Sequence, residues 1–307
     1  MIILFNFLIL AASMVGLWLG AQWLVESATR VARRLRVSEL AIGLTIVALG
    51  TSLPELSVSI GATLAGRGDI AVGNVVGSNI FNLGIILGVV ALVRSIIVSH
   101  SMVRRDGMML VGAGATLLFF LRDLTLARWE GFTLASMLAL YLTYLFWQRQ
   151  APDEELADGE FQWGDALRLV FGIGMVLAGG HFLVNSASEL ARWFGLSEWL
   201  IGVTIVAIGT SAPEFVTSIT AVLRGKFGLS AGNLIGSDLF NLLGILGLAA
   251  VVKPLTISTT ALHSLPLLVG MSLVLVLLMR TDWKLSRYEG AALVLVGVVR
   301  FVLSMYG

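Results

Sequence analysis

The chain has 307 residues, 57% of them hydrophobic and 13% charged, with 20 Lys and Arg against 19 Asp and Glu for a formal net charge of +1. A mean hydropathy of +0.94 excludes a water-soluble globular domain of ordinary composition. The near-neutral charge gives no ground for a nucleic-acid partner, and the absence of cysteine removes disulfide staples and thiolate metal sites.

Apolar runs recur along the whole chain at the ~20 residues that a helix rising 1.5 Å per residue needs to cross a ~30 Å hydrocarbon core. They predict an all-α polytopic membrane protein with ten transmembrane helices, at approximately 2–30, 37–65, 69–94, 103–121, 126–147, 163–193, 197–223, 228–252, 261–279 and 285–305. Barrel strands are excluded because they alternate apolar and polar residues in ~10-residue pieces. The first run is too long for a signal-peptide core and lacks a small-residue cleavage site, so it is kept as a span. Near its inner end Glu26 and Arg30 stand four apart, the spacing of an ion pair on one helix face.

The second span carries "GTSLPELSVSI", Gly50 to Ile60. Thr51 and Glu55 are four apart and share a helix face, with Ser52 beside them. Pro54 lacks an N–H and clashes with a carbonyl one turn earlier, so helix 2 is expected to break near mid-membrane and release carbonyls around Ala48 to Thr51. In the third span "GNVVGSNIFN" sets Asn74, Ser78 and Asn82 at intervals of four, and Gly73 and Gly77 let backbones approach closely.

After the fifth span comes "QRQAPDEELADGEFQWGD", an acidic stretch that reads as a solvated cytoplasmic linker at 149–162 between a first half, 1–148, and a second, 163–307. Asp153, Glu154 and Glu155 within it are a weaker candidate for a regulatory cation contact. Sliding the chain by 159 residues aligns Ala41–Val89 on Leu200–Leu248 without a gap, with identity at 26 of 49 positions. The same offset carries "RWEG" at Arg128 onto "RYEG" at Arg287. In the seventh and eighth spans it repeats the polar set as Thr210, Ser211, Pro213 and Glu214, with a second break in helix 7, and as Asn233, Ser237 and Asn241. Each half is one five-helix repeat. Because five is odd, the second enters the membrane from the opposite side, which predicts inverted repeats around a midplane site, a transporter architecture.

Lys and Arg set the orientation. With the N-terminus outside, inner flanks hold Arg30, Arg33, Arg34, Arg36, Arg94, Arg104, Arg105, Arg149, Arg168, Arg224, Lys226, Arg280, Lys284 and Arg287, leaving six of the 20 outside. Both termini are therefore expected outside, in a plasma or bacterial inner membrane.

If the two polar faces meet across the pseudo-two-fold, they enclose two carboxylates, hydroxyls, amide oxygens and carbonyls. Such a cage suits hard cations, Ca2+ or Na+, and without Cys or clustered His it excludes a zinc-like site. Packing and interhelical hydrogen bonding is the plainer reading for Gly, Ser, Thr and Asn, and holds with equal force for Asn74 and Asn233. It fails for the glutamates, since an unpaired intramembrane carboxylate costs at least ~2.5 kcal/mol and the cost recurs at the same repeat position. His100, His181 and His263 stand without a second His and read as interfacial or hydrogen-bonded residues.

At "GTSLPE", "GNVVGSNIFN", "GTSAPE" and "GNLIGSDLFN" the chain resembles the cation/Ca2+ exchanger superfamily, in particular the prokaryotic sodium/calcium exchangers, whose signature alpha repeats these segments match. The resemblance covers essentially the whole chain. It implies a core of helices 2, 3, 7 and 8, with helices 1 and 6 sliding across it, and antiport of Ca2+ against several Na+ without a cofactor. It further implies that Glu55 and Glu214 bind both ions, aided for Ca2+ by the Thr51 and Thr210 carbonyls. One sodium site would use Glu55, the Ala48 carbonyl, Thr51, Ser52 and Ser78, and its counterpart Glu214, the Ala207 carbonyl, Thr210, Ser211 and Ser237. The central position matches Asn82 and Asn241. Some relatives, potassium-dependent exchangers among them, carry Asp at the second of these, so Asn in both halves argues against K+ coupling. Asp238 replaces the Asn79 of the first half. It points ~100° from Ser237 around the helix and is an accessory candidate for ion access or proton coupling, or else a helix–helix contact.

Alternating access then follows from competition of the two ions for the same carboxylates. A proton/calcium antiporter using the same glutamates is the alternative in this class, and the paired hydroxyls favour sodium over it. A passive cation channel and an intramembrane hydrolase with two acids are rivals from other classes. Two ionised carboxylates in a low-dielectric cavity repel, so protons compete with cations for them. Ca2+ uptake is accordingly expected to fall as pH is lowered, read as the initial rate of ⁴⁵Ca²⁺ uptake across a pH series, and a pH-independent rate refutes the coupled pair.

Overall fold

A computed structural model of the protein describes residues 2–148, 162–195 and 207–306. In chain order its helices are α1 (Ile2–Leu35), α2 (Glu39–Thr51), α3 (Leu53–Leu64), α4 (Gly68–Val93), α5 (Met108–Phe120) and α6 (Arg128–Gln148). They continue with α7 (Trp163–Trp193), α8 (Ala207–Thr210), α9 (Ala212–Leu223), α10 (Phe227–Val252), α11 (Ser264–Arg280) and α12 (Arg287–Tyr306). Most span boundaries read from hydropathy fall within a few residues of these helices. The first helix runs further, to Leu35, and ends in the arginines Arg33 and Arg34. The start of the seventh span, 197–206, and linker residues 149–161 lie outside the described residues.

Among the described residues, α1, α4, α7 and α10 are each long and apolar enough to cross a membrane, and the bent pair α2 and α3 adds a fifth such segment. Their burial separates two roles. The most apolar windows of α4 and α10 are 72% and 78% buried inside the protein, whereas those of α1 and α7 are 17% and 28% buried. The first pair is the interior and the second lies on the flank. Leu17 and Ala21 of α1 meet Val176 of α7 in a small apolar patch of their own, separate from the main core. Deeper along α1, Leu24, Val25, Ala28 and Ala32 join that core.

Helix α10 lies directly on the backbone of α2. A Cβ at Gly232 would stand 2.6 Å from the Leu40 carbonyl oxygen, and one at Gly236 would stand 2.7 Å from Leu44 Cα. Small residues admit this approach where lipid offers no hydrophobic drive for helix association. The equivalent Gly73 and Gly77 meet nothing within 4 Å among the described residues.

Beside the helices, four two-residue strands occur in the loops among the described residues. β1 (Ile96–Ile97) pairs antiparallel with β4 (Lys284–Leu285), and β2 (Thr125–Leu126) with β3 (Leu255–Thr256). The reason is that loop N–H and C=O groups at a crowded helix end need partners, and the nearest are those of a loop from the other half. The 159-residue offset exchanges the two pairs. It also relates the Arg287 guanidinium donating to the Val93 carbonyl (3.1 Å) to Arg128 donating to Val252 (3.4 Å).

The expected Glu26–Arg30 pair on α1 is corrected. Glu26 pairs with Arg224 beyond α9, and Arg30 with Asp165 of α7 at 2.8 Å. Both side chains stand near helix ends that bring an opposite charge from another element, and these partners replace the neighbour one turn away.

A methyl group at Gly236 would meet the Leu44 backbone and the Ala48 Cβ within 2.8 Å, so Gly236→Val is expected to cost about 1–3 kcal/mol through overpacking. The check is a lowered thermal unfolding midpoint in detergent. Gly112→Ala, with nothing within 4 Å of the added carbon, should stay within about 0.5 kcal/mol of the parent protein.

Candidate cation-binding site

The expected break in helix 2 is present. Ser52 (φ −82°, ψ 8°) leaves the helical geometry between α2 and α3, which meet at 50°, and Pro54 stands in the first turn of α3. Ser211 (φ −89°, ψ 7°) and Pro213 do the same between α8 and α9. Without an N–H on Pro54 the Gly50 carbonyl loses its helical donor. The Ala48 carbonyl, by contrast, keeps two donors, the Ser52 N–H at 3.0 Å and the Thr51 hydroxyl at 3.3 Å. Each break starts a new helix N-terminus in mid-chain, and Glu55 and Glu214 occupy the first turns of α3 and α9. There the helix dipole favours negative charge.

Both carboxylates are 1% exposed, and each is met by a hydroxyl of the other half. Ser52 Oγ donates to Glu214 Oε1 at 3.3 Å, and Ser211 Oγ to Glu55 Oε1 at 3.4 Å. Thr51 also reaches across: its hydroxyl lies 3.1 Å from Asn233 Oδ1 and 3.3 Å from Ser237 Oγ. The sequence reading groups Ser237 with Thr210 and Ser211, and the structure adds Thr51 to its neighbours. Asn82 and Asn241, both 1% exposed, lie deeper in the same contact, each beginning or within a widened π-helical turn, Asn82–Ile86 and Phe240–Ile245. Such turns shift the side-chain register of a helix and recur at functional sites.

Among the described residues, several acceptors in this cluster have no hydrogen-bond partner. Glu55 Oε2, Glu214 Oε2, Asn82 Oδ1, Asn241 Oδ1 and Asp238 Oδ2 are all buried and unpaired. Leaving a buried polar atom unmade costs ~1–3 kcal/mol, more for a charged one. A concentration of such atoms, all acceptors, is what a desolvated cation needs. Among the described residues no group of three or more His, Cys, Asp or Glu could hold a metal, so a cation here would be met by two carboxylates and neutral oxygens.

Ser78 is buried and lines, with Asn74, Phe81, Ile208 and Arg300, a cavity of about 290 Å³. Ala207 and Thr210 open and close the single turn α8 that precedes the second break. Asp238 is fully buried and accepts from Asn82 Nδ2 at 3.0 Å.

Two residue pairs in the supporting layer have no separate signal in the chemistry of the motifs. Asn74 Nδ2 donates to Ser59 Oγ at 2.9 Å and to the Glu55 carbonyl at 3.2 Å, and Asn233 Nδ2 to Ser218 Oγ at 2.9 Å and to the Glu214 carbonyl at 3.4 Å. Both asparagines therefore brace the glutamate-bearing helices against α4 and α10. The signal for Ser59 and Ser218 is that Ser recurs at both repeat positions.

Comparison with known proteins accords with this geometry. The family model described as sodium/calcium exchanger protein matches residues 5–147 and again 165–306, one match in each half. The chain is 31% identical to the sodium/calcium exchanger MaX1 of Methanosarcina acetivorans, over 98% of this chain and 99% of MaX1. It is 36% identical to the inner membrane protein YrbG of Escherichia coli over 80% of each. Among solved structures it superposes on the sodium-calcium exchanger NCX_Mj soaked with 10 mM Na+ and zero Ca2+ with a TM-score of 0.86, at 27% identity, covering 98% of this chain and 99% of that one.

Neutralising one of two facing buried carboxylates relieves their repulsion. Glu55→Gln and Glu214→Gln are therefore each expected to melt higher than the parent in buffer free of Na+ and Ca2+. The parent should gain about 2.7 kcal/mol when a bound cation is raised to 100 times its Kd, and the variants well under half of that. Differential scanning fluorimetry across a cation series is the measurement, and an unchanged cation response in both variants refutes the ligand role.

Proposed function

The chain belongs to the sodium/calcium exchanger protein family, ion-transporting antiporters rather than enzymes, and on that premise we propose that it exchanges Ca2+ for Na+ by alternating access at one shared site. The observation that carries the reading is the set of buried, unpaired acceptor oxygens on Glu55, Glu214, Asn82 and Asn241, contributed equally by the two halves. Ca2+ would bind between Glu55 and Glu214 with the Thr51 and Thr210 carbonyls. Sodium would use the same carboxylates with Ala48, Thr51, Ser52 and Ser78 in one half and Ala207, Thr210, Ser211 and Ser237 in the other.

Charge decides the mechanism. Two carboxylates carry two negative charges, which one Ca2+ or two Na+ balance, so neither ion tolerates the other's full occupancy. Only a neutralised site can be covered by an apolar helix pair without a charge penalty in the hydrocarbon. The helices suited to this movement are α1 and α7, which are little buried and touch each other through a separate apolar patch.

Ten spans in two inverted repeats, with both termini outside a bacterial inner membrane, is the topology we assign. It is supported by the two family matches, by the exchange of the strand pairs under the 159-residue offset, and by ion pairs that join only groups of one predicted side, as Arg30 with Asp165 and Lys226 with Glu39 at 3.0 Å.

In proteoliposomes ⁴⁵Ca²⁺ uptake is expected to follow an outward Na+ gradient, to be inhibited competitively by external Na+, and to be lost in Glu55→Gln and Glu214→Gln. Uptake driven equally by a proton gradient without Na+ would replace sodium by protons in this reading. Uptake with no counter-ion gradient would make the protein a channel.

A further inference from the structure

Four polar side chains between α4 and α10 form a relay that starts at Asp238. Its Oδ1 accepts from Asn82 Nδ2 at 3.0 Å, and its main-chain carbonyl accepts from Asn79 Nδ2 at 3.0 Å. Asn79 Oδ1 in turn accepts from Asn241 Nδ2 at 2.9 Å. None of the four is more than 1% exposed, so water does not compete for these groups.

An amide side chain has a donor end and an acceptor end of nearly equal size, and its partners decide which way each faces. A main-chain carbonyl only accepts, which turns the NH2 of Asn79 toward Asp238. So directed, the Asn79 oxygen turns the NH2 of Asn241 toward itself. The Asp238 carboxylate does the same to Asn82 without an intermediary. The oxygen ends left over, Asn82 Oδ1 and Asn241 Oδ1, are the two that have no hydrogen-bond partner.

We propose that Asp238 is a positioning residue that sets the amide polarity of the cation site, holding Asn82 directly and Asn241 through Asn79 with their oxygens toward the transported ion. The proposal rests on the exchange reading, in which Asn82 and Asn241 form the central position. Without an acceptor at 238 the Asn82 amide is free to turn and offer its NH2, the positive end of the group dipole, to a cation. The first half needs no second carboxylate, because Asn79 takes its own direction from the Asp238 main chain.

The test compares full-length wild type, Asp238→Leu, Asn82→Asp and the double variant by calorimetric titration with CaCl2, with and without NaCl. An aspartate at 82 presents oxygen whichever way it turns, so it removes the need for positioning. Asp238→Leu is expected to weaken Ca2+ binding about tenfold or more, the scale of one misdirected buried polar group, and Asn82→Asp to bring the double variant back to within about threefold of Asn82→Asp alone. Binding by Asp238→Leu within about twofold of wild type, or a loss that Asn82→Asp does not repair in a monodisperse double variant, overturns the proposal. A packing role for Asp238 predicts no such repair. Should Asp238→Leu not fold, Asn79→Leu and its repair by Asn241→Asp test the same relay with the same two outcomes. Wild-type binding competed by Na+ checks the site itself. Its absence overturns the exchange reading and this proposal together, whereas its presence with an unrepaired loss overturns the positioning role alone.

Discussion

The described structure is arranged around two carboxylates that are 1% exposed and that, among the described residues, pair with no cationic side chain. Glu55 and Glu214 are buried, and they accept hydrogen bonds from Ser211 and Ser52, neutral groups borrowed from the opposite half. Buried charge without a charged partner is among the most expensive features a protein can hold. Elsewhere in the chain the usual remedy is applied: Asp106 is buried too, but Arg105 and the Tyr141 hydroxyl close on it at 2.6 and 2.8 Å. At the centre, among the described residues, that remedy is withheld, and the unbalanced charge is what supports the proposed cation site.

Holding such a pair demands rigidity behind it. The glutamates sit on helix turns begun by a proline, braced through Asn74 and Asn233 to α4 and α10, which are far more buried than α1 and α7. Helix α10 is locked on α2 at backbone distance by Gly232 and Gly236. The loops are stitched half to half by the short strands and by Arg128 and Arg287. Against this frame α1 and α7 contact each other chiefly along their own length, through Gly20, Gly172 and Gly179. In the proposed exchange, the stiff interior would bind the ions and the loosely seated pair would move.

The repeat is close but not perfect, and the departure falls at the centre. Asn79 and Asp238 occupy equivalent positions, yet each partners the central asparagine of the other half, Asn241 and Asn82. One aspartate therefore acts on both halves through its side chain and its main chain. Symmetry in sequence does not require symmetry in chemistry, because the two copies touch at this point and one group can serve both.

The sequence by itself determined the class of the molecule, its internal repeat and the two buried glutamates proposed as charged ligands. Hydropathy sets helix length against bilayer thickness, Pro54 and Pro213 cannot complete a helical ladder, and an intramembrane glutamate recurring after 159 residues has no use in packing. These are local or periodic properties, and they are legible from residue type and spacing alone. Partner choice is not of that kind. That Thr51 meets Ser237, that Glu26 leaves Arg30 for Arg224 and that Asp238 holds Asn82 were decided only when the two halves came together. Helical spacing offers a partner one turn away, while packing brings others from more than 150 residues along the chain, and a hydrogen bond forms with whichever is nearest in space.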